Sequence, residues 1–226
     1  MRAIAFDLDG TLFDHRSAGT RAIVEWVERN AWPSPDDLVE RWFRIEDHRF
    51  GEYAAGVAGL QEQRRNRVRD LLTQLDVPFE ESSLDGLFAE FLTFYRANWT
   101  GFSDARETLE SLRARGYVLA VLTNGYYEQQ RDKLEAIGLL EFVEHLLASA
   151  DLPAFKPDVR AYEALCTALG LEPYDVMYVG DDVTADAMGA RDAGLRSVHL
   201  DRDGTAEPIS GVTQIRSLRE VLEQLA

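Results

Sequence analysis

The chain has 226 residues, 46% hydrophobic and 28% charged, which suits a globular protein with one large domain or a core carrying an insertion. A formal charge of −16 disfavours nucleic acid or an anionic membrane as partner, and no apolar run reaches membrane-spanning length. One cysteine, Cys166, permits no internal disulfide, and acids at 7 and 9 interrupt any signal-peptide core, so a cytoplasmic location is expected.

The apolar run Ala3-Ile4-Ala5-Phe6 reads as a buried strand. Asp7 and Asp9 follow two residues apart, and Gly10 and Thr11 end it. Residues i and i+2 of an extended chain share a face, so both carboxyl groups lean into one site. Like charges that close shift each other's pKa, and a cation resolves the conflict. Mg²⁺, which takes oxygen ligands, suits such a pair. A strand followed by a plain Asp/Gly turn is the bland reading. The acids nevertheless stand at the carboxyl end of an apolar strand, where α/β sheets place their ligands.

Residues 15–99 read as helices over 18–29, 35–49, 61–75 and 82–99, from apolar stripes that include Val24, Val27, Trp42, Ile45, Leu71, Leu72, Phe88 and Phe91. Pro35 with Asp36 and Asp37 marks a helix start. Gly51, Gly56 and Gly59 place a bend or loop over 50–60. Trp42 and Cys166 read as core residues.

From residue 100 strands and helices alternate. Ser103 is expected to cap a helix ending at Gly116, and strands are expected over 117–122, 145–149, 176–179 and 197–200. Helices fall between them over 128–137, 158–169 and 184–193, and a last one over 218–225. Alternation of this kind implies a doubly wound parallel sheet, an α/β fold.

Three constellations at these strand ends carry chemistry. Thr123-Asn124-Gly125 offers a hydroxyl, an amide and free backbone before a helix, which suits a phosphate oxygen; a plain strand-to-helix turn is the alternative. Lys156-Pro157-Asp158 puts Pro157 at the first helical position and Lys156 at the positive end of a helix, where a solvated surface lysine is the alternative. Lys133 and Lys156 are the only lysines, against 22 arginines. Gly180-Asp181-Asp182, with Asp186 beyond, ends another strand in acids. Asp182 reads as a helix cap or a water-mediated ligand, and Asp201 and Asp203 as surface turn residues.

Together these segments resemble the haloacid dehalogenase-like hydrolase superfamily. Residues 3–14 are similar to its motif I, hhhhDxDGTLhD; Thr123 and Asn124 lie in motif II, Lys156 in motif III, and 180–186 form motif IV as Gly-Asp-x₄-Asp. The similarity is strong over residues 1–14 and about 100–200, whereas 15–99 match in length and helical character alone. It implies a core of residues 1–14 and 100–226 with strand order 5-4-1-2-3, and a C1-type helical cap over 15–99. It further implies Mg²⁺ held by Asp7, the Asp9 carbonyl and Asp181, with Asp182 and Asp186 behind them. Asp7 would be the nucleophile and Asp9 the general acid and base, with Thr123, the Asn124 backbone N–H and Lys156 on the phosphoryl group. Arg16, near the expected hinge, would meet a second anionic group of the substrate or stay a solvated charge.

The expected activity is therefore hydrolysis of a small phosphomonoester, such as a nucleoside monophosphate or a sugar phosphate, by a monomer or homodimer. An acid at position 9 argues against a dehalogenase, since halide leaves without a proton. The absence of lysine from 15–99 argues against a Schiff-base phosphonate hydrolase. A phosphomutase, or a binding module that has lost its chemistry, are the alternatives.

Overall fold

The computed structural model describes residues 1–225. The chain forms two compact units, Met1–His15 joined to the chain from Thr100 onward, and Arg16–Trp99. No helix is long and apolar enough to cross a membrane among the described residues.

The first unit is built on β1 (Ala3–Phe6), whose four residues are all buried. It pairs in parallel with β2 (Val118–Thr123) on one side and β4 (Val176–Gly180) on the other. A strand flanked and covered in this way has no wet face, which is why it reads as continuous apolar sequence. β3 (His145–Ala148) and β5 (Arg196–Leu200) extend the sheet outward, again in parallel. The order β3-β2-β1-β4-β5-β6 bears out the expected arrangement and adds a sixth strand. That strand, β6 (Thr213–Ile215), is three residues long and has no apolar run of its own, so pairing with β5 alone creates it. Ala3, Ala5, Ala120, Leu122, Tyr162, Leu165 and Val176 pack one core of this unit, and Cys166 lies in it as expected.

The second unit holds most of α1 (His15–Arg29), with α2 (Leu38–Ala54), α3 (Leu60–Gln74) and α4 (Leu84–Ala97). Its core is aromatic. Trp26 meets Trp42 and Phe91 edge-on, and Phe91 stacks on Tyr95. Each such pair adds on the order of 1 kcal/mol beyond the area it buries. Trp42 is fully buried, as its stripe predicts.

Several helix ends differ from expectation. α2 starts at Leu38 rather than Pro35 and runs through Gly51 to Ala54, so the break narrows to residues 55–59. α7 (Val159–Leu169) begins after Pro157: Asp158 is its N-cap and accepts from the Arg160 N–H at 3.0 Å. Pro157 therefore precedes the helix. Residues 183–188 wind as π-helix before α8 (Gly189–Asp192), and 218–225 form 3₁₀-helix.

Ser103 does not cap α5 (Ala105–Ala114); Asp104 stands at the cap position, and its carboxylate points elsewhere. It accepts from two nitrogens of Arg202 at 3.0 and 3.1 Å, from Ser217 Oγ at 2.9 Å and from the Leu218 N–H at 2.9 Å. Arg202 also donates to the Thr11 carbonyl at 2.9 Å. Arg202 thus links the loop after β1 to the start of α5, and Asp104 links that helix start to the C-terminal segment. Asp201, expected on the surface, is also buried, and it accepts from the N–H groups of Gly204, Thr205 and Ala206.

Burial raises the Asp104 carboxyl, but Arg202 and the other donors more than reverse this and hold it below the usual range. Asp104→Ala should cost about 3 kcal/mol in urea unfolding near neutral pH, because it leaves Arg202 without its carboxylate. Since the folded pKa is depressed, the difference should shrink as pH falls below about 4.

Candidate active site

The carboxyl ends of β1, β2 and β4 converge on one point, and each delivers polar groups there. β1 ends in Asp7, whose N–H continues the ladder to the Val179 carbonyl at 2.9 Å. β4 ends at Gly180 and delivers Asp181. The π-helical turn then swings Asp186 back beneath the strand end, where its carboxylate accepts from the Asp182 N–H at 3.0 Å. Wide turns of this kind recur at functional sites because they redirect a side chain that an α-helix would send elsewhere. Asp182 itself is the N-cap of that turn and accepts from the N–H groups of Thr184 and Ala185.

Asp7, Asp181 and Asp186 each offer an oxygen within 4.8 Å of the others. Two glycines permit this. A Cβ on Gly180 would collide with the Asp186 carboxylate, and one on Gly10 with that of Asp181. Gly10 also adopts φ +92°, which side-chain-bearing residues avoid. Thr11 Oγ1 donates to Asp181 Oδ1 at 2.9 Å, and His199 Nε2 lies 3.0 Å from the Asp181 carbonyl oxygen.

Lys156 is the cation of this cluster. Its Nζ donates to Asp7 Oδ1 at 2.7 Å, to Asp186 Oδ1 at 2.6 Å and to Tyr178 Oη at 2.7 Å. Burial opposes the ammonium, but Asp186 and Asp7 more than reverse this and raise its pKa. Burial raises the Asp7 carboxyl well above its usual range, against the pull of Lys156 and with the help of Asp186 and Asp181. Burial, then Asp186, pushes Asp181 up to about 7. When all three carboxyl groups are ionised, they leave an excess of two negative charges over the one ammonium, the charge of one divalent cation. An all-oxygen donor set suits a hard ion such as Mg²⁺.

Asp9 stands apart from this cluster. Its carboxylate accepts from Lys133 Nζ at 2.6 and 2.8 Å and from Gln130 Nε2 at 3.0 Å, both on α6 (Tyr127–Ala136). Burial raises its pKa, but Lys133, then His15, outweighs this and holds it below the usual carboxylate range. The same Gln130 amide reaches Thr123 Oγ1 at 2.7 Å. Asn124 clamps the main chain of Lys156: Nδ2 donates to the Lys156 carbonyl at 3.0 Å, and Oδ1 accepts from the Lys156 N–H at 2.9 Å. Ser149 Oγ donates to the same Oδ1 at 2.6 Å.

Asp7, Asp9, Thr123, Asn124 and Asp181 thus stand just at or past the ends of β1, β2 and β4, while Lys156 reaches the same point from the loop before α7 and Asp186 from the π-helical turn. Arg16 belongs to the second unit, where its guanidinium lies 3.9 Å from the centroid of the Phe43 ring. Sequence reasoning gave no role to Gln130, Lys133, Tyr178 or His199. Tyr178 and His199 read as strand residues, and only the rarity of lysine singled out Lys133.

A family model described as haloacid dehalogenase-like hydrolase matches residues 1–194. The chain is 31% identical to Phosphatase MT3486 of Mycobacterium tuberculosis, over 98% of this chain and 96% of that protein. It is 28% identical to (S)-2-haloacid dehalogenase 4A of Burkholderia cepacia, over 100% of this chain and 95% of that one. Among solved structures it resembles the magnesium-bound HAD-hydrolase YfnB of Bacillus subtilis, with a TM-score of 0.85, 23% identity, and coverage of 99% and 98% of the two chains.

The raised carboxyl groups fix a pH dependence. An Asp181 pKa of about 7 in the folded state stands above the unfolded value, so its contribution to stability is full below about pH 4 and is lost as pH rises through about 7. In chelator, the unfolding free energy attached to this cluster should fall between about pH 4 and about pH 7, by up to about 1.4 kcal/mol per pH unit for each proton released. Urea titrations across that range measure it, and Asp181→Asn should flatten the slope.

Proposed function

The chain belongs to the haloacid dehalogenase-like hydrolases, and from that membership we propose that it hydrolyses small phosphomonoesters through an aspartyl-phosphate on Asp7, with Mg²⁺ as its metal. The observation that carries this reading is the separate environment of Asp9. Two carboxyl groups two residues apart are held by different lysines, Asp7 by Lys156 and Asp9 by Lys133. Neighbouring carboxyl groups with separate partners can take different chemical roles, one as nucleophile and one as proton carrier. A departing alkoxide needs a proton donor, whereas a departing halide needs none.

Asp7 attacks phosphorus as the bond to the leaving oxygen breaks, and Asp9 transfers a proton to that oxygen. Water then attacks the phosphorus of the acyl phosphate, its proton passes to Asp9, and the Asp7 carboxylate is released with inorganic phosphate. Asp7, the Asp9 carbonyl and Asp181 hold the metal in this reading, and Asp186 is close enough to join them. When bound, the ion neutralises charge on the transferring phosphoryl group. Thr123 Oγ1 and the Asn124 N–H bind phosphoryl oxygens. Lys156, whose ammonium already meets three acceptors, orients Asp7 and offsets its neighbours' charge.

We assign substrate choice to the inserted helices, Arg16–Trp99, as the cap, with Arg16 as a contact for a second anionic group. A nucleoside monophosphate or sugar phosphate in the cytoplasm is the substrate we assign to Thr123, the Asn124 N–H and the metal. The overall charge of −16 speaks against nucleic acid and membrane surfaces. Similarity to a dehalogenase supports a second reading, in which Asp7 displaces halide from a 2-haloacid.

Phosphate release should be measured from nucleotides, sugar phosphates, phosphoglycolate and an aryl phosphate, each with Mg²⁺ and with chelator, and halide release from 2-chloropropionate alongside. Mg²⁺-dependent phosphate release that Asp7→Asn lowers by a factor on the order of 10⁴ or more is expected. Halide release without phosphate release would establish the dehalogenase reading instead, and phosphatase turnover undiminished in Asp7→Asn would sink the mechanism.

A further inference from the structure

We propose that Lys133 and Gln130 of α6 are positioning residues that hold the Asp9 carboxyl in place for proton transfer, an inference that rests on the phosphomonoesterase reading. The two lie three residues apart, so they share one helix face. Both are 2% exposed. Lys133 grips both oxygens of Asp9, at 2.6 and 2.8 Å, and its Nζ also lies 4.9 Å from the centroid of the buried Phe13 ring. Gln130 bridges Asp9 Oδ2 to Thr123 Oγ1, so the group that moves the proton and the hydroxyl assigned to the phosphoryl group share one amide.

Composition points the same way. Of 24 cationic side chains, 22 are arginines, and both lysines lie here. Each is buried, and each holds one carboxylate of the Asp7–Asp9 pair. A compact ammonium with three donors fits a confined space around a carboxylate that a planar guanidinium does not. A buried ion pair is a poor device for stability, because desolvation of the two charges offsets their attraction. Keeping such a pair at the mouth of the sheet therefore calls for a role in the reaction.

The grip still leaves Asp9 able to act. Its side chain is 27% exposed, and Oδ1 accepts from Lys133 alone among the described residues, while Oδ2 accepts from both. Oδ1 is thus the oxygen for proton transfer. Asp9 is ionised beside Lys133 in the free protein and takes up a proton as the dianionic phosphoryl group binds next to it. In the first half-reaction that proton goes to the leaving oxygen as the Asp7–phosphorus bond forms and the ester bond breaks. In the second, a proton of the attacking water returns to Asp9 as the Asp7–phosphorus bond breaks.

The test exploits the leaving group. Nitrophenolate departs readily without a proton, whereas an alkoxide needs one. kcat/KM covers steps only up to departure of the alcohol, so the contrast between p-nitrophenyl phosphate and the best alkyl phosphomonoester of the panel isolates proton donation. With Mg²⁺ present, Lys133→Met should lower kcat/KM on the alkyl ester about 100-fold and on the aryl ester by less than about tenfold. Asp9→Asn should show the same contrast. Gln130→Met, which leaves the ion pair in place, should show a smaller contrast in the same direction, and it decides the matter if Lys133→Met fails to fold. Equal losses on both esters, or none, would overturn the proposal. Failure of the unsubstituted protein to turn over any phosphomonoester would instead remove the phosphatase reading beneath it, before any variant is compared.

Discussion

A single ammonium, that of Lys156, lies among more negative charge than it can neutralise. It meets Asp7, Asp186 and the Tyr178 hydroxyl within 2.7 Å, and Asp181 completes the acidic cluster. Charges in such surroundings attract and repel far more strongly than in water. Most of the local architecture serves to bring these groups together against that repulsion. Gly10 and Gly180 are there because any side chain would occupy the space of a carboxylate. The π-helical turn is there because Asp186 must point back toward its own strand. Asn124 reads both main-chain polar groups of Lys156 and so holds the backbone from which the ammonium reaches inward.

The sheet makes that convergence geometrically simple. β1 is central and pairs on both sides, so the side chains just beyond it and its neighbours arrive at one edge. Asp7 comes from β1, Thr123 from β2 and Asp181 from just past β4. Behind them, Arg202 donates both to the Thr11 carbonyl in the loop after β1 and to Asp104, whose carboxylate also accepts from Ser217 and Leu218. The loop also closes on itself: the Gly10 N–H donates to the Phe13 carbonyl, and the Leu12 and Phe13 N–H groups donate to the Leu8 carbonyl.

The same scaffold is shared with proteins named as phosphatases and as dehalogenases. Fold alone does not separate such chemistries; individual side chains do. This chain carries a second acid, Asp9, with its own lysine and its own glutamine, outside the carboxylate cluster. The division of labour between two lysines gives one reason that a chain so rich in arginine keeps them at these two positions.

Much of this was legible from residue order. Apolar runs ending in acids or in Thr-Asn-Gly mark β1, β2 and β4, because a buried parallel strand must be apolar throughout and its ligand-binding end must not be. The alternation of strand and helix determined the fold class for the same reason. What sequence could not decide were matters of partnership across long separations. Gln130, Lys133, Tyr178 and His199 look like ordinary helix or strand residues until the fold brings them to groups 7 to 124 positions away. β6 exists only because β5 offers it an edge. Ser103 and Pro157 carried sound local signals for helix starts, yet both helices begin later, and at α5 the carboxylate of Asp104 is held by Arg202 and Ser217 instead of by the cap. Local patterning is set by burial and backbone preference, which neighbours in sequence share. The identity of an ionic or hydrogen-bonding partner depends on distance in space, and only the tertiary structure determines that.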